Sequence, residues 1–94
     1  SELRGNNERI LLVEDEEGVR EFAATMLCEN GYIVFEAANA QDALNIFEKE
    51  EGNFHLIFSD VVLPDITGIQ LVEQLLSLKP ELKVLLNSGY WFTK

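Results

Sequence analysis

The chain has 94 residues, enough for one domain with a packed core and too few for two. Its 17 Asp and Glu against 7 Lys and Arg give a formal net charge of −10. That charge excludes the basic footprint of a direct nucleic-acid binder and disfavours docking on anionic membrane surfaces.

The single cysteine, Cys28, excludes an internal disulfide framework and fits a reducing, cytoplasmic location. No apolar run approaches membrane-spanning length, so no membrane segment and no secretory leader is expected in this domain. Residues 1–8 read as a polar lead-in or linker and residues 9–94 as the domain.

Ile10–Val13 is an apolar run that ends in Glu14-Asp15, and Arg9–Val13 reads as a first strand. A helix is expected over about Glu17–Glu29, with Val19, Phe22, Ala23, Met26 and Leu27 on one face. Cys28 falls on that stripe and is expected to be a buried structural thiol. Glu16 and Glu17 suit the positive end of the helix dipole, and Asn30-Gly31 is a stop with glycine free to cap it.

Tyr32–Glu36, rich in β-branched and aromatic residues, reads as a second strand. It is less apolar and carries Glu36, so it is placed at an edge. Asn39 is an N-cap for a helix over about Ala40–Glu50 that turns Ala43, Leu44 and Phe47 inward, with Gly52-Asn53 breaking it. Leu56–Ser59 is a third strand. A loop with Pro64 and Gly68 leads to a third helix, about Ile69–Leu78, burying Leu71, Val72, Leu75 and Leu76. Lys79-Pro80 ends it, and Lys83–Asn87 is a fourth strand. This alternation predicts an α/β fold, a doubly wound parallel sheet with right-handed crossovers and strand order 2-1-3-4.

In such a sheet, chemistry collects beyond the carboxyl ends of the strands. Glu14, Asp15 and Asp60 end two neighbouring strands, and Asn87-Ser88-Gly89 follows the fourth. Two readings stand for the acids. They solvate the strand ends, or they hold a cation that offsets their mutual repulsion. Mg²⁺ suits the second, because it keeps several waters and takes one or two carboxylates.

Leu12-Val13-Glu14-Asp15-Glu16, then Ser59-Asp60-Val61-Val62-Leu63-Pro64 with Gly68, then Asn87-Ser88-Gly89-Tyr90 together resemble the receiver domain of two-component response regulators. The resemblance runs from about Arg9 to Tyr90 and implies a flavodoxin-like fold. It implies that Asp60 is a phosphoacceptor served by a sensor histidine kinase or a phosphotransfer protein. It implies Mg²⁺ held by Asp15 and Asp60, by Glu14 through water or charge, and by the backbone carbonyl of Val62. Ser88 would hydrogen-bond the phosphoryl group and move on its arrival, and Gly89 would leave room beside it. Such a domain is not itself an enzyme. Ser88-Gly89-Tyr90 is similar to receivers attached to hybrid sensor histidine kinases.

Members of that family continue into a fourth helix, a fifth strand and a fifth helix. The lysine and the aromatic residue they carry on the fifth strand have no counterpart here, and Lys94 follows the fourth strand too closely to substitute. The receiver domain is therefore expected to be C-terminally incomplete. Its fourth strand would be a bare apolar edge, and one face of the first helix and the sheet would lie uncovered. That predicts either association between copies, a homodimer through the fourth strand included, or a longer parent chain.

Three other functions compete for this pattern. A pseudo-receiver would use the fold for protein interaction alone. A phosphohydrolase of the haloacid dehalogenase type wants an aspartate two residues after Asp60, where Val62 stands. A flavin binder wants a hydroxyl-rich phosphate loop where Glu14-Asp15-Glu16-Glu17 would repel phosphate. His55 is expected at the surface without a metal or phosphoryl role. Tyr90-Trp91-Phe92 reads as core or interface packing.

Overall fold

The computed structural model describes residues 6–88. Gly89, the Tyr90-Trp91-Phe92 cluster and Lys94 lie outside the described residues. The elements follow in the expected alternation: β1 (Arg9–Val13), α1 (Glu17–Glu29), β2 (Ile33–Ala37), α2 (Ala40–Lys49), β3 (Leu56–Asp60), α3 (Gly68–Leu78) and β4 (Lys83–Asn87). All pairings are parallel, and the sheet runs β2-β1-β3-β4.

Each crossover packs its helix back on the sheet. α2 and α3 share one face and touch each other, while α1 packs on β1 and β2. Side-chain alternation sends Leu11, Val13 and Ile57 into the layer beneath α2 and α3, where Ala43, Phe47, Phe54, Leu71 and Leu75 meet them. Ile10 and Leu12 are as deeply buried on the other side. At the amino ends of the strands, the Arg9 guanidinium lies 4.5 Å from the Phe35 ring centroid and pairs with Glu50 at 2.7 Å. The Arg9 amide also donates to Nδ1 of the exposed His55 at 3.0 Å.

Boundaries shift where tertiary contacts overrule the local pattern. β2 starts at Ile33, because the Tyr32 N–H is taken by the Leu27 carbonyl at the end of α1 (3.1 Å). Gly31 beside it adopts φ +91°, the left-handed cap expected of it. β3 reaches Asp60, which pairs with Asn87. α3 starts at Gly68 behind a reciprocal cap. Gln70 N–H donates to Thr67 Oγ1 (3.1 Å), and Thr67 N–H donates to Gln70 Oε1 (3.0 Å).

The expectation for Cys28 is corrected: the thiol is exposed. α1 seats Ala24, with Ala23 and Leu27 half-buried, while Val19, Phe22 and Met26 on the same stripe stay exposed. Cys28, one turn beyond Ala24, opens onto a shallow groove with Glu21, Ala24, Thr25, Glu29 and Glu36. Phe22 is 68% exposed, and Leu85 and Leu86 are exposed on β4, which with β2 forms the edges of the sheet among the described residues. No helix among the described residues is long and apolar enough to cross a membrane.

Candidate functional site

β1 delivers the first acids. Glu14 N–H donates to Ala37 O at 3.0 Å, so the β1–β2 ladder continues one step past Val13 and fixes the Glu14 backbone. Arg20 on α1 donates from Nη1 to the Glu14 carbonyl at 2.9 Å and pairs with Glu36 at 3.4 Å, tying α1 to both strand ends. Glu14 is only 8% exposed, and its Oε2 accepts from Glu16 N–H at 3.0 Å, closing the turn that presents Asp15.

β3 delivers Asp60. The β3–β4 ladder also extends past the strand, with Val61 N–H donating to Asn87 O at 2.9 Å. Val62 N–H approaches Asp60 Oδ1 at 3.3 Å. The start of α3 is pressed against the same corner: Gly68 N–H donates to Val61 O at 2.7 Å, and a Cβ on Gly68 would stand 2.1 Å from the Asp60 carbonyl oxygen. Ser88, one residue past the ladder partner of Asp60, is half-buried. Ser59 is fully buried on the opposite side of β3, with its hydroxyl donating to Asp60 O at 2.8 Å.

Three carboxylates therefore meet. Glu14, Asp15 and Asp60 each offer an oxygen, and these oxygens lie within 4.8 Å of one another. Among the described residues, no ion pair reaches any of them. Burial pushes the Glu14 carboxyl above its usual range, and the charges of Asp60 and Asp15 add to that against the Glu16 N–H bond. The donors fit Mg²⁺: they are all hard oxygens, and ligands across an octahedral Mg²⁺ stand about 4.2 Å apart. An anionic arrangement of this kind repels a phosphoryl donor until a cation joins it.

The expected residues of the acidic site thus come together at one rim. Sequence reading missed Asp65, whose carboxylate accepts from Ala40 N–H (3.0 Å) and Gln41 N–H (2.9 Å) at the start of α2. Its partners are backbone groups from a distant stretch of chain, which leave no local signal. The Thr67 cap was also missed, although the Thr67-x-x-Gln70 spacing is a recognisable signature.

A family model described as the response regulator receiver domain matches residues 10–91. The sensor kinase CckA of Brucella abortus is 41% identical over 81 residues, covering 86% of this chain, which spans only 9% of that kinase. A crystal structure of the receiver domain from the hybrid histidine kinase CckA superposes with a TM-score of 0.82 at 42% identity, covering 89% of this chain and 78% of that one. The response regulator TrrA of Thermotoga maritima, solved in complex with Mg²⁺ and BeF, gives a TM-score of 0.78 at 33% identity, covering 89% and 74% of the two chains.

Proposed function

The chain belongs to the response regulator receiver domain family, phosphoacceptor modules of two-component signalling, and on that premise we propose that Asp60 is its acceptor. We propose as site partners Mg²⁺ at Asp15, Asp60 and the Val62 carbonyl, with Glu14 acting through charge or bound water, and Ser88 as the hydroxyl that hydrogen-bonds the phosphoryl group once it is on Asp60. The observation that carries this reading is the meeting of the Glu14, Asp15 and Asp60 oxygens within 4.8 Å at the end of a parallel sheet. It also favours a phosphoacceptor over a module that serves only to bind proteins.

Phosphoryl transfer asks a protein mainly to position groups and offset charge. An Asp60 oxygen attacks the phosphorus of a phosphohistidine in line. The O–P bond forms as the N–P bond breaks, and the electron pair returns to the imidazole. The product is an acyl phosphate. The ladder bond from Val61 to Asn87 holds the nucleophile, and the turn closed by Glu14 presents Asp15 beside it. Bound Mg²⁺ supplies charge neutralisation on the transferring oxygens. Ser88, at the end of the next strand, is placed to sense the new charge.

Receiver domains exchange phosphoryl groups with histidine kinases or phosphotransfer proteins. The likeness to a sensor kinase supports a hybrid histidine kinase as the parent and a cytoplasmic site of action. Incubation with radiolabelled acetyl phosphate and Mg²⁺ tests the assignment. Label should enter, be released by hydroxylamine, and vanish in Asp60→Asn. Undiminished labelling of that variant refutes it.

A further inference from the structure

The loop between β3 and α3 is fastened twice. Its base closes where Gly68 N–H donates to Val61 O at 2.7 Å. Its far side closes on a different helix, through both oxygens of Asp65. Oδ1 accepts from Ala40 N–H and Oδ2 from Gln41 N–H, while Ile66 N–H turns back to Oδ1 at 3.0 Å. α2 already has a cap of its own, since Asn39 Oδ1 accepts from Asp42 N–H at 2.7 Å. The first turn of α2 is thus served by two side chains, one from its own segment and one from the acceptor loop.

We infer that Asp65 is a positioning residue of the acceptor site, fastening the loop that carries the Val62 carbonyl to the start of α2. This rests on the reading of Asp60 and Val62 above. A carboxylate ligand can adjust by side-chain rotation, whereas a carbonyl ligand is placed by its backbone alone. Mg²⁺ demands near-ideal octahedral geometry, so slack in that backbone is lost affinity. Val62 lies between the two fastenings, and Pro64 stiffens the span to Asp65. The hydrogen bond from Ala40, with those from Gln41 and Ile66, holds the Asp65 carboxyl below its usual range and keeps the clasp ionised.

The test is Mg²⁺ titration calorimetry on the full chain, with thermal melting alongside, for wild type, Asp65→Ala, Asp65→Asn and Asn39→Ala. The last removes a cap from the same helix without touching the loop. Asp65→Ala should weaken Mg²⁺ binding roughly tenfold, as loss of an outer partner does, and Asn39→Ala should stay within about twofold of wild type. Asp65→Asn keeps the shape and one acceptor, so it carries the test should the alanine variant fail to fold, with a smaller loss expected. The loss should persist at high salt, where a bare charge effect is screened over a few ångströms. Equal weakening by Asp65→Ala and Asn39→Ala, no weakening, or weakening that salt abolishes overturns the inference. Failure of wild type to bind Mg²⁺ overturns the metal assignment itself, and this inference with it.

Discussion

Gly68→Ala probes the corner that holds Asp60. A Cβ there would stand 2.1 Å from the Asp60 carbonyl oxygen and 3.0 Å from both the Asp60 carbonyl carbon and Val61 Cα. All three are backbone atoms, so no side chain can swing away. A C···O contact settles near about 3.3 Å, so α3 and β3 must part by about 1.2 Å. Overpacking of this kind costs about 1–3 kcal/mol. The movement also stretches the 2.7 Å bond from Gly68 N–H to Val61 O, adding about 1 kcal/mol. The sum is about 2–4 kcal/mol, a fall in melting temperature of roughly 10–20 °C for a domain of this size.

Gly18→Ala is the matched control. It lies early in α1, where an added Cβ meets nothing within 4 Å, and should stabilise by about 0.5–1 kcal/mol. The same chemical change is thus expected to act with opposite sign at two helix starts. Urea denaturation with a shared m-value measures both, and Mg²⁺ titration of Gly68→Ala should show weakened binding as Asp60 shifts. A Gly68→Ala variant as stable as wild type would refute the close-approach reasoning.

Glu14→Gln should raise the stability of the metal-free protein near neutral pH. The folded-state carboxyl is raised above its unfolded value, so its favourable contribution is complete below the ordinary carboxylate range and is lost as pH climbs through the folded value. The two proteins should therefore match in acid and diverge toward neutrality. Denaturation curves across that range check it, and saturating Mg²⁺ should narrow or reverse the gap by stabilising wild type more. Cys28 is exposed, so a thiol reagent such as dithiobis-nitrobenzoate should modify it without denaturant. Protection until unfolding would contradict the described packing of α1.

Much of the fold was legible because each apolar run had the length of a buried strand and each helix carried its own stop. β1, α1 and β4 fall where the pattern placed them. β2 slipped by one residue because Tyr32 is claimed by the end of α1, a contact no local pattern encodes. Cys28 was misjudged because spacing identifies a stripe but not how much of it finds a partner. Ala24 is seated, whereas Phe22 on that helix is not. Glu14, Asp15 and Asp60 could be read because strand ends converge by topology. The clasp of Asp65 on α2 and the press of Gly68 on Asp60 could not, since both engage backbone atoms, which every residue possesses alike.

The pairing of Asp60 with Asn87, and of Ser59 with Leu86, also guards the fold against misassembly. Slipping β3 by a single step would turn the hydroxyl outward and drive the carboxylate into the apolar layer between sheet and helices. Burying an unpartnered charge there costs several kcal/mol. The side chain proposed as the acceptor thereby penalises the wrong alignment, and a mispaired sheet forfeits stability and the acidic cluster together.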